Sequence, residues 1–478
     1  MSAAQIKAPM ANELSDRLDW LNVSGVRLEA LKGRVVALAF WHAGSTTCAN
    51  LLDDLQLLQR KHADGLTVVG IHCPKFDAER ERDVVISSLA RLGIRIPVAA
   101  DPDFIAWQHY GVRGWPCTVL IDTHGRVRQQ FAGDLRHAEL DAAVEALLHE
   151  GGEDDSRVFG TLQLASRLEA RQPLSFPSGL AVTDAHVYVA DSGHHRILEC
   201  THEGRVLRQF GSGTPGLLDG GSADAGFLFP CGLSLHREAL YVADRGNHAL
   251  RRIRLLSGDV ETVLGNGRPG PAAADGDLDA DVALNAPGDV TAINDRLFIA
   301  MTGANQVWEY DLTQRRLRVL AGSGNAGIDD GVGSYARFAE PAGLVQVQQT
   351  LYVVDAASSA LRSVHAGDGA VQTLLGRGLF EFGNEDGARA VALLQQPLAL
   401  ALEPGSPRLW IADAYNNAIR SLRLGGGDVQ TQALDYRLHR PAALASRKGV
   451  LWIANSDAHE LLALQIDSGN VRRIAVGE

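Results

Sequence analysis

A short sequence pattern recurs six times in the second part of the chain. Each copy runs from an apolar residue through an aromatic residue and two further apolar residues to a position that is usually Asp. The copies are Val187–Asp191, Leu240–Asp244, Leu297–Met301, Leu351–Asp355, Leu409–Asp413 and Leu451–Asn455. Each follows a proline-led strand, with prolines at 177, 230, 287, 341, 397 and 441, and precedes two more strand-like segments. Six four-stranded repeats predict a six-bladed β-propeller, in which ring closure protects most sheet edges.

The repeated Asp invites a catalytic or metal-binding interpretation, since an Asn follows Asp244 and Asp413 three residues later. A role that recurs in every blade is structural before it is functional. An Asx side chain at a strand end bonds backbone amides of the next turn, so we expect these residues to cap turns. A second mark, Gly-x-Gly followed by Asp-Gly, predicts inter-blade turns at 211–219, 265–275, 322–330 and 376–386.

The first part of the chain alternates strand and helix signals. The predicted strands cover 34–41, 66–72, 118–122 and 126–132, and the predicted helices cover 51–58, 77–92 and 134–149. This order predicts a mostly parallel sheet with an antiparallel edge. The polar, glycine-rich stretch 150–156 is typical of a linker. We therefore predict a multidomain chain, with an α/β domain at 1–150, a linker and propeller entry at 151–176, and the propeller at 177–478.

Composition restricts the partners and the compartment. The net charge is −12 and no run of Lys or Arg occurs, so a nucleic-acid partner is not expected. No apolar run reaches the ~18 residues of a membrane span, and the start lacks the apolar region of a secretory signal. Five cysteines, an odd number without close pairs, indicate free thiols and a cytoplasmic protein.

No cofactor or metal is expected from the sequence. The adjacent residues His194 and His195 are the most obvious candidate ligands. Neighbouring residues of a strand point to opposite faces, which argues against a shared ion.

Three groups of residues resemble known domains. Copies of Pro-x-Gly-Leu, Tyr-Val-Ala-Asp and Asn-His-x-Leu-Arg resemble NHL repeats over 177–478. Val35–Trp41, Gly114–Thr118 and Leu120–Arg126 resemble the first core strand, the cis-proline segment and the closing hairpin of a thioredoxin-like domain. Their order is similar to that of the NHL repeat-containing protein 2 family, whose plant relative is the thylakoid suppressor of quenching. The resemblance implies a cis-proline at Pro116.

The chain departs from this family at residues 45–48. Where the family has Cys-x-x-Cys, the sequence has Ser45, Thr46, Thr47 and Cys48. The first cysteine of such a motif is the nucleophile, and a serine there cannot form the mixed disulfide. We therefore predict a redox-degenerate domain in which Ser45 or Thr46 caps the following helix.

A second interpretation comes from peroxiredoxins, which resemble the chain in having Thr or Ser three residues before a single reactive Cys. Ser45 and Cys48 reproduce that spacing. However, Trp41 stands where those enzymes have a proline, and Pro116 stands where they have the activating arginine. Without a nearby cation, Cys48 is expected to remain a thiol at neutral pH.

Two further cysteines could approach Cys48. Cys73 follows a predicted core strand, and Cys117 follows Pro116. The alternative is that both pack as small apolar residues, because free cysteine is among the most buried residue types.

The favoured hypothesis is a two-domain interaction protein that binds a protein partner. The alternatives are a thiol-dependent redox enzyme that uses Cys48 and a propeller enzyme with metal in its channel. No non-repeated cluster of His, Asp or Glu supports the latter. Residues that break the repeat, Thr302 and Asn455, are the predicted binding positions, since function in propellers lies on loops held by a rigid ring. The sequence specifies neither the partner nor the oligomeric state.

Overall fold

The computed structural model describes residues 8–151, 164, 172–274, 277–278 and 281–477. The chain forms two compact units that divide between residues 169 and 170. Most of the predicted linker at 151–176 lies outside the described residues. The boundaries proposed from the sequence therefore stay predictions.

The first unit is built on a six-stranded sheet. Its strands are β1 (Asp19–Trp20), β2 (Val35–Trp41), β3 (Leu66–His72), β4 (Val98–Ala100), β5 (Cys117–Ile121) and β6 (Val127–Ala132). The order across the sheet is β1-β4-β3-β2-β5-β6. The pairs β2–β3 and β3–β4 are parallel, and the other three are antiparallel. The parallel centre and the antiparallel edge are confirmed. Antiparallel pairing also occurs at the opposite edge, through the short strand β1 that the sequence pattern missed.

Four α-helices accompany this sheet. They are α1 (Thr46–Lys61), α2 (Arg82–Arg91), α3 (Ile105–His109) and α4 (His137–Glu150), and 3₁₀ helices lie at Leu28–Leu31 and Asp77–Arg80. The single helix predicted at 77–92 is wrong. Glu81 is extended, with φ −76° and ψ 122°, and divides a 3₁₀ turn from α2. The preceding Glu79 directs its carboxylate to backbone N–H groups of the chain before the turn.

Alternation along the strands gives the sheet two buried faces. On β2, Val35, Ala37, Ala39 and Trp41 pack with α1 and α4. The intervening residues Val36, Leu38 and Phe40 pack with α3 and the N-terminal segment. A strand that is buried on both faces reads as a continuous apolar run, which explains why β2 was recognisable in the sequence.

The second unit is a six-bladed propeller. The strands of blades 1 to 3 are Pro177–Val182, His186–Asp191, Arg196–Thr201, Val206–Phe210; Pro230–His236, Ala239–Asp244, Ala249–Arg254, Val260–Leu264; and Pro287–Ile293, Arg296–Met301, Gln306–Asp311, Arg316–Ala321. Those of blades 4 to 6 are Pro341–Val347, Thr350–Asp355, Ala360–His365, Ala370–Leu375; Pro397–Leu402, Arg408–Asp413, Ala418–Arg423, Gln430–Thr431; and Pro441–Arg447, Val450–Asn455, Glu460–Gln465, Val471–Ile474. Short strands Asp277–Leu278 and Gly331–Val332 extend blades 3 and 4.

The ring closes without exchanging a strand. The first strand of each blade is an edge of its own sheet and contacts the first strands of its neighbours, the last blade contacting the first. Blade 1 lies within 177–210 and blade 6 within 441–474. At their junction, Val206 donates its N–H to the carbonyl of Gly477 at 2.8 Å. The predicted fold class, a thioredoxin-like α/β domain followed by a six-bladed propeller, is confirmed.

No α-helix within the described ranges combines the length and apolarity needed to cross a bilayer.

Candidate functional site

The turn before α1 places Ser45 at the N-cap position. Ser45 is extended, with φ −97° and ψ 129°, and its Oγ accepts the N–H of Cys48 at 3.2 Å. The predicted cap is confirmed, with Ser45 rather than Thr46 in that role. The hydroxyl satisfies one of the amides that a first helical turn leaves unpaired, an interaction that contributes about 1 kcal/mol.

The peptide bond between Trp115 and Pro116 is cis, as the resemblance implied. Phe40 of β2 pairs with Cys117 of β5, so the chain that leaves β2 lies beside the chain that enters β5. The rings of His42 and Trp115 accordingly have centroids 5.3 Å apart. The structure therefore brings the segments around Ser45 and Pro116 to the same edge of the sheet.

The three thiols of this unit are buried. Cys48 and Cys73 are 0% exposed and Cys117 is 2% exposed, and no disulfide joins any of the five cysteines. Cys48 packs on the α1 face of the sheet, while Cys73 and Cys117 pack on the opposite face. Burial raises the pKa of Cys73 well above its usual range, and the nearby Asp101 and Cys48 add to the shift. Burial also raises the pKa of Cys117.

A buried ion pair that the sequence analysis missed lies beside this turn. Nδ1 of His42 lies 3.1 Å from Oε1 of Glu79, and both side chains are buried. The Glu79 carboxylate also accepts the N–H groups of Gly44 at 2.6 Å and Lys75 at 2.8 Å. Burial opposes ionisation, but the His42 charge and the hydrogen bonds hold the pKa of Glu79 at about 2. The pair fixes the chain ahead of α1.

A second buried histidine completes this region. Among the described residues, neither ring nitrogen of His72 has a hydrogen-bond partner, and its ring centroid lies 5.0 Å from that of Trp41. Burial lowers the pKa of His72 to about 4, against the opposing charge of Glu79. The ring is therefore neutral at pH 7. This region holds a capping hydroxyl, the thiols of Cys73 and Cys117 with raised pKa values, and a carboxylate that already bonds His42 and backbone amides.

One set of metal-ligating side chains occurs in the described part of the chain. The ligand atoms of His62, Asp141 and Glu145 lie within 4.8 Å of one another. The ammonium of Lys61 lies 2.5 Å from Asp141 and 2.9 Å from Glu145. We interpret the set as an ion-pair network between α1 and α4, because Lys61 contacts both carboxylates and His62 bonds Asp141.

In the propeller, the repeated Asp caps the chain that enters its own blade. Oδ1 of Asp244 accepts the N–H of Leu228, which precedes the first strand of blade 2, at 2.8 Å. The same bond joins Ser175 to Asp191, Ala339 to Asp355, Gln395 to Asp413 and His439 to Asn455. In blade 3, the Sδ atom of Met301 replaces the carboxylate. The predicted structural role is confirmed, but the amide lies before the blade rather than in the following turn.

A buried arginine joins this Asp to the inter-blade loop. In blade 2, the Arg251 guanidinium lies 2.9 Å from Asp244 and 2.9 Å from Asp219, and Arg251 is 0% exposed. Burial raises the pKa of Asp244 to about 6, although the Arg251 charge opposes the shift. The matching contacts in blades 4 and 5 join Arg362 to Asp330 and Asp355, and Arg420 to Asp386 and Asp413. The Asp-Gly mark is thus part of a structural network. Its copy at Asp275 lies outside the described residues.

Relatives of this chain share its two-domain order. A family model described as Redoxin matches residues 15–147, and one described as NHL repeat matches residues 174–200. Protein SUPPRESSOR OF QUENCHING 1, chloroplastic, from Arabidopsis thaliana is 33% identical over 496 residues, which cover 96% of this chain and 47% of that protein. NHL repeat-containing protein 2 is 32% identical in Gallus gallus, covering 85% of this chain and 61% of that protein, and 28% identical in Homo sapiens, covering 95% and 70%.

The chain belongs to the NHL repeat-containing protein 2 family. It spans about half the length of the plant relative and 61% of the chicken relative. In this NHL repeat-containing protein 2 family member, the features assembled at one edge of the thioredoxin-like sheet are Ser45, Cys48, cis-Pro116 and the pair formed by His42 and Glu79. Their catalytic or binding roles stay predictions.

A second repeated contact joins neighbouring blades in this family member. After each second strand, a residue with positive φ directs its side chain to the N–H of the residue before the proline of the next blade. We call these contacts the seam bonds. They are His195 to Phe229, His248 to Ala286, Asn305 to Glu340, Ser359 to Gln396, Asn417 to Arg440 and His459 to Phe176. His195 is therefore a structural acceptor, whereas His194 bonds Asp191 at 2.8 Å.

The predicted binding residues Thr302 and Asn455 have structural contacts as well. Thr302 is 5% exposed and donates its Oγ1 hydrogen to the carbonyl of Pro341 at 2.7 Å. Asn455 is 0% exposed and occupies the position of the repeated Asp. A partner could reach the loops around them rather than these side chains, and that binding role stays a prediction.

Proposed function

We propose that this family member is a two-domain interaction protein whose thioredoxin-like domain does not exchange disulfides. One observation carries the proposal: Ser45, at the position of the nucleophilic cysteine, caps α1 through its bond to the N–H of Cys48. A cysteine in that place would have its pKa lowered by the helix-end amides. A serine hydroxyl ionises far above working pH, and its oxygen cannot take part in a disulfide.

A thiol-dependent redox enzyme that uses Cys48 is the alternative, and two observations argue against it. Cys48 is 0% exposed, whereas a reactive thiol needs access to its substrate. The neighbouring Cys73 has a pKa raised by burial, so it is a poor thiolate donor. The cis-proline and the fold are compatible with thiol exchange, but the pair of reactive sulfurs is incomplete.

The propeller supports the binding half of the proposal. Its blades are held by repeated capping and seam bonds, and the loops between them are carried on this rigid ring, an arrangement that suits recognition. The net charge of −12 favours a protein over a nucleic acid as the partner. We place the protein in the cytoplasm, because five cysteines without a disulfide suit a reducing compartment.

An insulin-reduction assay tests the redox half. The full chain should not accelerate insulin precipitation above the dithiothreitol background, and neither should Cys48→Ser. Ser45→Cys, which restores both sulfurs, is the positive control and should accelerate it. Activity in the wild type that Cys48→Ser abolishes would show that Cys48 is catalytic.

Capture from a cell extract tests the binding half. The immobilised full chain should retain a defined protein, identified by mass spectrometry and then purified for affinity measurements. Substitutions at the partly exposed positions of loops 302–305 and 456–459, other than the seam residues Asn305 and His459, should weaken that affinity. If none of these substitutions changes the affinity for the partner, these loops are not its binding site.

A further inference from the structure

The first strands of the six blades contact one another around the ring, so they line its central channel, and they contain one unusual residue. Two positions after each leading proline, the blades carry Gly179, Gly232, Asp289, Gly343, Ala399 and Ala443. The position is small because the next inner strand is close. A Cβ atom added at Gly343 would lie 2.6 Å from the carbonyl oxygen of Leu398. Blade 3 nevertheless places a carboxylate there.

The Asp289 side chain lies among three inner strands. One oxygen accepts the N–H of Val290 in its own strand at 2.9 Å, and the other accepts the N–H of Leu344 in blade 4 at 2.8 Å. On the blade 2 side, a Cβ atom added at Gly232 would lie 2.3 Å from Oδ1 of Asp289, so the missing side chain of Gly232 makes room for the carboxylate. Asp289 keeps partial access to solvent.

No counter-ion for this carboxylate occurs among the residues that the structure describes. Its hydrogen bonds within the described residues are those with the two backbone amides, and no cationic side chain there pairs with it. Burial raises the pKa of Asp289 to about 7, although the two amide bonds oppose the shift. By contrast, each buried Asp of the capping network in blades 2, 4 and 5 has an arginine partner. A carboxylate that is partly removed from water in this way is expected to be paired or neutralised.

We infer that Asp289 anchors a site in the propeller channel for an organic cation that carries a guanidinium or ammonium group. The inner strands are sheet edges, so their outward carbonyl groups supply further acceptors. The carbonyl oxygen of Gly288 lies near the carboxylate, since a Cβ atom added at Gly232 would lie 2.3 Å from Oδ1 of Asp289 and 2.8 Å from this oxygen, which also accepts the Cys231 thiol at 3.1 Å. A group with several N–H donors satisfies a carboxylate and carbonyls together, with stronger bonds than a neutral ligand forms. The inference holds whether or not the protein is an interaction protein.

Isothermal titration of the full chain tests the site with two probes. Agmatine tests a free small-molecule cation, and a blocked pentapeptide with a central arginine between glycines tests the side chain of a protein. Asp289→Asn keeps an acceptor for the N–H of Leu344 but removes the charge. It should weaken binding by about ten- to a hundred-fold, the range for a charge-assisted hydrogen bond. Asp289→Ala, which restores the residue type of blades 5 and 6, should weaken it at least as much.

The control is Asp295→Asn, which removes a blade 3 carboxylate that pairs with Arg237 on the outside of the ring. It should leave the affinity of either probe unchanged. Binding of agmatine alone identifies a small-molecule site, and binding of the peptide identifies a site for a protein side chain. Equal affinities in wild type and Asp289→Asn would overturn the inference. So would stabilisation by calcium that depends on Asp289 while neither organic probe binds.

Discussion

Nδ1 of His248 accepts the backbone N–H of Ala286 at 3.0 Å, directly before the proline that begins blade 3. The bond requires a neutral imidazole whose proton is on Nε2, because a protonated ring has no lone pair to accept with. The seam bond between blades 2 and 3 therefore depends on the protonation of one side chain.

Acid should weaken this seam. Burial, with a contribution from the Arg245 charge, lowers the pKa of His248 to about 4, below the ~6.5 of an unfolded chain. Because the unfolded state binds the proton more readily, the free energy of unfolding should fall as the pH drops from about 6.5 to about 4. His248→Asn keeps an acceptor, as Asn305 and Asn417 do, but cannot titrate. Between pH 7 and pH 4.5 it should lose about 2 kcal/mol less than wild type in urea unfolding. Equal losses of unfolding free energy in wild type and His248→Asn would contradict a role for His248 protonation.

The contribution of Ser45 as a helix cap should be measurable as stability, independently of any redox activity. Ser45→Ala removes the acceptor for the N–H of Cys48 and should lower the free energy of unfolding by about 1 kcal/mol, while Ser45→Asp should retain the cap. Chemical denaturation measures both changes. Equal stability of all three proteins would mean that the hydroxyl is replaced by water at no cost.

The same position should accept a disulfide. On mild oxidation, Ser45→Cys should bridge to Cys48, since the two residues stand one helical turn apart at the start of α1. Peptide mapping with and without reductant detects the bridge. Two alkylatable thiols at these positions after oxidation would show that the buried Cys48 cannot turn toward the cap.

Loss of the capping carboxylate should be costly where an arginine depends on it. Asp244→Ala leaves the N–H of Leu228 unpaired and removes one of the partners of the buried Arg251, which should cost about 3 to 5 kcal/mol. Asp244→Asn keeps the amide contact, as Asn455 does in blade 6, and should cost less. Thermal unfolding compares the two variants. A lower melting temperature for Asp244→Asn than for Asp244→Ala would show that the bond to the N–H of Leu228 is not the main contribution of the carboxylate.

Blade 3 should be destabilised by an Asp at the capping position, although the neighbouring blades carry one there. Met301 occupies the position of the capping Asp, and Trp308, which faces Ile299, occupies the position of the buried arginine. Met301→Asp would place a carboxylate among apolar side chains with no cation, and should destabilise the protein by about 2 kcal/mol or more. Adding Trp308→Arg should recover part of that loss. A double variant less stable than the sum of its single variants would contradict this pairing.

Some of these structural features could be predicted from the sequence. Pro177 and its five counterparts each begin a strand, as predicted, because proline lacks a backbone donor and suits the first residue of an edge strand. The repeated Asp was recognisable because its residue type is kept in four of the six blades, where its carboxylate always accepts a backbone amide.

Other contacts of the structure correspond to no recognisable pattern in the sequence. The pair formed by His42 and Glu79 joins residues 37 positions apart, and Glu79 lies in the segment 77–92 for which a single helix was predicted. The seam bonds use His, Asn or Ser, which share an acceptor atom rather than a residue type. Asp289 was equally hidden, because a single Asp in a strand has significance only once the ring shows that its equivalents are Gly or Ala.

Seam bonds with an imidazole acceptor lie on one side of the ring, so the blades should not all respond to acid in the same way. Blades 1 and 2 are bounded only by seams with an imidazole acceptor, at His459, His195 and His248. The remaining seams, at Asn305, Ser359 and Asn417, have acceptors that do not titrate. No strand is shared between blades 6 and 1, so only non-covalent contacts, such as the bond from Val206 to Gly477, hold that junction. Mild acid should therefore release the first two blades as one cooperative segment, with amide exchange rising there while the other four blades stay protected.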